Sequence, residues 1–261
     1  MSNKNATIDE LLSIMATLRD PVKGCPWDKK QTMATIVPHT IEEAYEVADA
    51  IENGTTEDIK SELADLLLQI IYYCQIGKEE GKFDFADIVN ELKDKLIRRH
   101  PHIFNNENVP AQEHSVLWEA IKEKERQQKP QNTVLSGIAH NLPALLRAQK
   151  LQARAATVGF DWPHITFVLD KIHEEIEEFK ESYAQGDFEA TQEELGDVLF
   201  VCANLARHVK SDAETILRKA NGKFERRFSG VEQRVVKSGK PWQDFSLEEL
   251  DAFWDEVKAQ E

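Results

Sequence analysis

The sequence predicts an all-α protein made of two copies of one four-helix unit. Apolar residues recur at helical spacing through most of the 261-residue chain, and no stretch shows the two-residue alternation of a half-buried strand. An acidic pattern also occurs twice, and in each copy its second part begins 16 positions after the last residue of its first part. The first copy is Glu42-Glu43-x-x-Glu46 then Glu62-x-x-Asp65, and the second is Glu174-Glu175-x-x-Glu178 then Glu194-x-x-Asp197.

Capping and turn residues mark the helices of the first half. Apolar positions from Ile8 to Leu18 follow helical spacing, and Asp20-Pro21 ends that helix. Thr40 can cap a second helix that Asn53-Gly54 stops. We expect the remaining helices at about 56–77, 84–97 and 118–128, with loops at 24–28 and 105–115.

The second half repeats this order after the polar segment Lys129-Pro130-Gln131-Asn132, which is a linker candidate. Its helices are expected at about 143–156, 166–184, 188–208, 212–236 and 246–259, with a turn at Gly186-Asp187 and a cap at Ser246. The predicted organisation is an N-terminal domain over 1–128, a linker over 129–140 and a C-terminal domain over 141–261. A unit of this size buries a small core, so pairing of units within or between chains is expected.

Composition narrows the class of protein. The net charge of −15 gives no general attraction for nucleic acid or an anionic membrane, so neither is expected as a partner. Three separated cysteines argue against a disulfide framework, and Cys74 and Cys202 are expected in the core. Without a long apolar segment or signal peptide, the expected location is the cytoplasm.

The duplicated acids predict a metal site. Carboxylates three positions apart on a helix share one face, and two such pairs on neighbouring antiparallel helices would aim four carboxylates at one point. Packed negative charges repel one another unless a hard cation lies between them. Oxygen ligands without nearby His or Cys favour Mg²⁺, with Mn²⁺ as a possible substitute.

Basic and aromatic residues follow the acids in both halves. Lys95-x-x-Arg98-Arg99 and Trp118 parallel Lys223-x-x-Arg226-Arg227 and Trp254. The cations have the chemistry to clamp phosphate oxygens, and Trp254 can stack on a base. A basic run at a helix end also favours the helix dipole, and a tryptophan can serve as a core residue, so both interpretations stay open.

With these motifs the chain resembles the MazG nucleotide pyrophosphohydrolases. The signature is Glu-Glu-x-x-Glu followed by Glu-x-x-Asp, and the loops at 24–28, 99–104 and 158–162 and the run at 223–228 are similar too. The resemblance implies tandem all-α MazG-type domains, a homodimer, and Mg²⁺-dependent hydrolysis of nucleoside triphosphates to monophosphate and diphosphate in nucleotide pool control. It implies that the C-terminal domain is the main catalyst.

The resemblance also implies roles for particular residues. The metal ligands would be Glu175, Glu178, Glu194 and Asp197, with Glu43, Glu46, Glu62 and Asp65 as their first-half counterparts. Catalysis would involve Glu174, Glu175 and Glu193, and nucleotide binding would involve Lys171, Lys223, Arg226, Arg227 and Trp254.

Two alternatives remain at the level of sequence. The chain could be a metal-nucleotide sensor or interaction module that binds without turnover. One half could also be catalytic while the other half serves dimerisation and regulation. The metal ligands alone do not determine which phosphorus atom of the triphosphate is attacked.

Overall fold

The computed structural model describes residues 6–105, 110, 114–127 and 133–261. Every regular element in this part of the chain is helical, which confirms the predicted all-α class. The chain divides into two compact units, Met1–Lys122 and Glu123–Glu261. The expected domain limits of 128 and 141 stay a prediction, because residues 128–132, where the linker begins, lie outside the described part.

The first unit is organised around a helical hairpin. Helices α2 and α3 are joined by a two-residue turn at Gly54-Thr55 and pack along their length, while α1 packs against α3. Met15, Ile36, Ile71 and Tyr72 form the core between them. The helices are α1 (Ile8–Leu18), α2 (Met33–Asn53), α3 (Thr56–Glu79), α4 (Phe85–Arg99), α5 (Pro101–Phe104) and α6 (His114–Gln127).

The predicted start of α2 at Thr40 is wrong. The helix begins at Met33, and Thr32 caps it through a reciprocal bond with Thr35, so Pro38 lies inside the helix. Ile36, with 1% of its surface exposed, anchors this first part in the core. The Thr40 hydroxyl instead donates to the Ile36 carbonyl within the helix.

The second unit has the same hairpin at its centre. Helices α8 and α9 are joined by Gly186, whose φ of 76° ends α8, and Asp187, which caps α9. Helix α7 packs on α9 and α11 packs on α10. Small residues line the contact of α7 with α9. The helices are α7 (Ala144–Ala156), α8 (Ile165–Gln185), α9 (Phe188–His208), α10 (Ala213–Ser238) and α11 (Leu247–Lys258).

The loop before each hairpin carries an aspartate that a side chain of α3 or α9 holds in place, and we call each contact a loop latch. In the first unit the Tyr72 hydroxyl of α3 donates to the Asp28 carboxylate. In the second unit the Arg207 guanidinium of α9 pairs with Asp161. The Arg207 hydrogen bonds hold the pKa of Asp161 below its usual range. The two units therefore fix equivalent loops with different chemistry.

The cysteine prediction is half correct. Cys74 is buried in the first unit, whereas Cys202 is exposed on α9, so the expectation that Cys202 is a core residue is wrong. Cys202 follows Leu195 and Leu199 at helical spacing on a stripe of α9 that the unit leaves uncovered. Across the described helices, none is long and apolar enough to cross a membrane.

Candidate metal and nucleotide site

The α8–α9 hairpin brings the second set of acids together. Helix α8 carries Glu175 and α9 carries Glu194 and Asp197, and one carboxylate oxygen from each lies within 4.8 Å of the others. Glu175 is 5% exposed, and a carboxylate this buried is rarely found without a charged partner, which here is Lys171. The i, i+3 spacing on α9 places both of its acids on the face that meets α8.

Glu178 lies at the edge of this cluster. It is exposed and falls outside the group of three oxygens, yet its charge is among the causes that raise the pKa of Glu194. Partial desolvation is the first cause, and the charges of Glu178, Glu175 and Asp197 follow. The four acids predicted as ligands therefore form one electrostatic group.

Lys171 provides the cation in this cluster. Its Nζ lies 2.6 Å from Glu174 Oε1 and 2.8 Å from Glu175 Oε1. The hydrogen bonds to Glu174 and then to Glu175 raise the pKa of Lys171, so it stays charged at neutral pH. Glu193 is exposed beside Glu194 and contributes to its raised pKa.

The first unit contains the equivalent cluster. Oxygens of Glu43, Glu62 and Asp65 lie within 4.8 Å of one another, and all three residues are half-buried. Desolvation, followed by the charges of Asp65 and Glu46, raises the pKa of Glu43. The pKa of Glu62 is raised by desolvation and then by the charge of Glu46. The predicted ligand Glu46 thus takes the same peripheral position as Glu178.

The predicted nucleotide-binding residues form a separate cluster on α10 and α11. The Arg227 guanidinium lies 5.7 Å from the centre of the Trp254 ring. The centres of the Phe224 and Trp254 rings lie 5.4 Å apart. Lys223 and Arg226 are exposed beside them. The first unit repeats this arrangement with Arg99 at 5.3 Å from Trp118. Within the described residues, no hydrogen bond or ion pair joins the α10–α11 cluster to the acids.

Sequence reasoning missed two residues at these sites. Gln69 is 5% exposed on α3, and its Nε2 donates to Glu43 Oε1 at 3.3 Å. Glu261 accepts hydrogen bonds from Arg227 at 2.6 and 3.0 Å. Gln69 could have been found from the sequence, because it lies four positions after Asp65 on the same face of the helix. No sequence pattern indicated Glu261.

The residues of both acid clusters fit a divalent cation. Ligands about 2.1 Å from a common Mg²⁺ lie up to about 4.2 Å apart, so modest side-chain rotation would bring each group of three oxygens into range. The donors are carboxylate oxygens, which Mg²⁺ and Mn²⁺ prefer. Desolvation, and after it the charges of the neighbouring carboxylates, raise the pKa of Glu194 and of Glu62, and a cation would relieve the repulsion between these charges.

The raised pKa of Glu194 predicts a pH-dependent change in stability. Folding disfavours the ionised form, so ionised Glu194 lowers the free energy of unfolding above the ordinary pKa of 4.5, and neutral Glu194 does not. In EDTA, Glu194→Gln should therefore raise Tm at about pH 7.5, and this gain should shrink toward pH 4.5. Scanning calorimetry would measure it, with Glu181→Gln on exposed α8 surface as the control for net charge. A gain of equal size in the control would contradict the prediction.

Comparison with known proteins agrees with the duplicated site. Residues 31–104 and 165–231 both match the MazG nucleotide pyrophosphohydrolase domain. The chain belongs to the MazG family. The two matched stretches contain the two acid clusters, so the match also confirms the tandem all-α fold.

Relatives of this MazG chain match it over nearly its whole length. It is 50% identical over 257 residues to a nucleoside triphosphate pyrophosphohydrolase of Escherichia coli (strain K12), covering 97% of this chain and 98% of that protein. A nucleoside triphosphate pyrophosphohydrolase/pyrophosphatase MazG of Thermotoga maritima is 40% identical over 258 residues, with 99% and 98% covered. The uncharacterized protein YabN of Bacillus subtilis is 40% identical over 252 residues, covering 95% of this chain and 51% of YabN.

Proposed function

We propose that this nucleoside triphosphate pyrophosphohydrolase of the MazG family turns over its substrate at the acid cluster of the second unit. The observation that carries the proposal is the convergence of Glu175, Glu194 and Asp197, with the charged Lys171 bound to one of them. Mg²⁺ would be held by these three acids together with Glu178, and Mn²⁺ could take its place.

The reaction adds water across the α–β phosphoanhydride of a nucleoside triphosphate and yields a monophosphate and diphosphate. When bound, the metal would neutralise charge on the phosphate chain and lower the pKa of a bound water. Glu174, Glu175 and Glu193 would orient this water and accept its proton. Lys171 would stabilise the negative charge that builds up on the phosphate oxygens.

The α10–α11 cluster is the proposed nucleotide-binding surface. Arg227 can bind two phosphate oxygens at once, while Lys223 and Arg226 add positive charge beside it. Trp254 is half-buried, with Phe224 beside its ring, so it offers a fixed aromatic surface for a base. Glu261 accepts hydrogen bonds from the Arg227 guanidinium, so a phosphate that binds Arg227 would have to displace the Glu261 carboxylate.

A homodimer is part of the proposal. Large apolar side chains on the hairpin helices remain exposed within each unit, including Leu195 at 47%, Leu199 at 52% and Leu63 at 49%. Such surface is typical of a protein that packs against another subunit. The net charge of −15 gives no general attraction for nucleic acid, so the triphosphate would be held by the metal and the placed lysine and arginine side chains. The cytoplasm is the proposed location.

Product analysis tests the proposed function. The pure protein would be incubated with dGTP or ATP and Mg²⁺, and the products separated by anion-exchange chromatography. We expect monophosphate and diphosphate, with no product in EDTA. Nucleoside diphosphate and phosphate would refute the proposed cleavage position. Metal-dependent nucleotide binding without any product would favour a sensor.

A further inference from the structure

The neighbourhoods of the two acid clusters differ at two positions, one on each helix of the hairpin. With the second copy numbered 132 positions after the first, Lys171 corresponds to His39, and Val201 corresponds to Gln69. The four predicted ligands of each cluster correspond one to one. Each cluster also has one further acid nearby, Asp58 beside Glu62 and Glu193 beside Glu194, so these two acids balance and the difference in charge comes from Lys171.

Lys171 partly neutralises the second cluster. Its ammonium group lies 2.8 Å from Oε1 of Glu175, which is one of the three convergent carboxylates. A cation entering this cluster would meet a resident positive charge and would have to displace Lys171 from Glu175. A phosphate chain that arrives with the metal would give Lys171 a new partner. Metal binding at the second cluster should therefore depend on nucleotide.

The first cluster lacks this resident charge. His39 lies against Glu42, with Nδ1 3.6 Å from Oε2, instead of against Glu43. Within the described residues, no ion pair links Glu43, Glu62 or Asp65 to a lysine or arginine. The three carboxylates are half-buried, so solvent screens their repulsion only in part. The first cluster therefore presents the larger net negative charge to a cation.

Gln69 supplies an independent sign of a ligand at the first cluster. It is 5% exposed and its Nε2 reaches Glu43 Oε1, so its amide group faces the acids. Its Oε1 is buried without a hydrogen-bond partner. A buried amide oxygen left unpaired is costly, and a metal-bound water or the ion itself would satisfy it. The valine at the equivalent position of the second unit cannot do so.

We propose that the first acid cluster is a resident divalent-cation site that fills without nucleotide, with Gln69 as its additional oxygen donor, while the second cluster fills only together with substrate. The proposal rests on the proposed function for the identity of the metal sites. It assigns unequal roles to clusters whose four predicted ligands are of the same types. The resident ion would hold the α2–α3 hairpin together, and the second site would be the one that exchanges metal with each substrate.

Titration of the full chain with Mn²⁺ in the absence of nucleotide tests this inference, because electron paramagnetic resonance detects the free ion. We expect one tight site per chain. Glu175→Gln, in the second cluster, should leave that site intact. Gln69→Val, which copies the residue of the second unit, should weaken it at least about tenfold, the usual effect of removing a partner next to a metal.

A charge swap keeps the test valid if Gln69→Val folds poorly. His39 is partly exposed, so His39→Lys should be tolerated, and the added positive charge should weaken the tight site. Conversely, Lys171→His should create a second site that binds Mn²⁺ without nucleotide. Loss of the tight site in Glu175→Gln, or tight binding unaffected by both His39→Lys and Gln69→Val, would overturn the inference. Either result could accompany normal formation of monophosphate and diphosphate, so this failure is distinguishable from failure of the proposed function.

Discussion

Glu194→Gln should reduce pyrophosphohydrolase turnover by about 10²- to 10³-fold, the scale of losing a group that organises charge in the transition state. The substitution keeps the size of the side chain but removes one of the three convergent carboxylates. Asp197→Asn should act similarly. Because Glu194 is disfavoured as an anion in the folded protein, neither the helical content nor the Tm of Glu194→Gln should fall in EDTA. Steady-state release of diphosphate and circular dichroism would measure the two effects.

Two further variants test whether the loss of turnover comes from the acid cluster of the second unit. Glu177→Gln removes one charge from the same hairpin, at an exposed residue that pairs with Lys180, and should leave kcat unchanged. Measuring Glu194→Gln together with Glu62→Gln removes any contribution from the first unit. A normal rate in that double variant would show that neither acid cluster is catalytic.

Gly230→Ala should destabilise the second unit by about 1–3 kcal/mol, the typical cost of overpacking. Gly230 on α10 faces α11, and a Cβ there would lie 2.7 Å from Val257 Cγ2. Helix α11 also carries Trp254, which packs beside Arg227. Displacing α11 should therefore raise KM several-fold as well as lower Tm. Thermal unfolding and steady-state kinetics would report both changes.

The same helix offers the control for Gly230→Ala. A Cβ at Gly222 would meet only the end of the Arg226 side chain, at 3.8 Å. Gly222→Ala should be neutral or stabilising, since alanine favours a helix over glycine. Adding Val257→Ala to Gly230→Ala should recover most of the lost stability. Equal destabilisation by both glycine substitutions would refute the packing argument.

The convergence of the acids could be predicted because it depends on local rules. The i, i+3 spacing fixes which carboxylates share a face, and the short turn at Gly186-Asp187 fixes that α8 and α9 lie side by side. The same rules apply to the turn at Gly54-Thr55 in the first unit. Fold class and the arrangement of the acids followed from the sequence for this reason.

The features that sequence reasoning missed depend on packing between distant residues. Gln69 meets Glu43 across the hairpin, and Glu261 meets Arg227 across 34 positions of the chain. Nothing in the local pattern near either residue specifies its partner. The start of α2 was missed for a different reason, because the capping box at Thr32 lies upstream of Pro38. The outward orientation of Cys202 depends on which stripe of α9 its own unit covers.

The two loop latches limit how the units can be recombined. Asp28 is held by Tyr72, whereas the second unit has Asn204 at that position, and Asp161 is held by Arg207, whereas the first unit has Gln75 there. A hybrid that exchanged only the loops would leave each aspartate facing a helix without its partner. Chimeric enzymes built from the two halves should therefore exchange each loop together with its own α3 or α9 as one cassette.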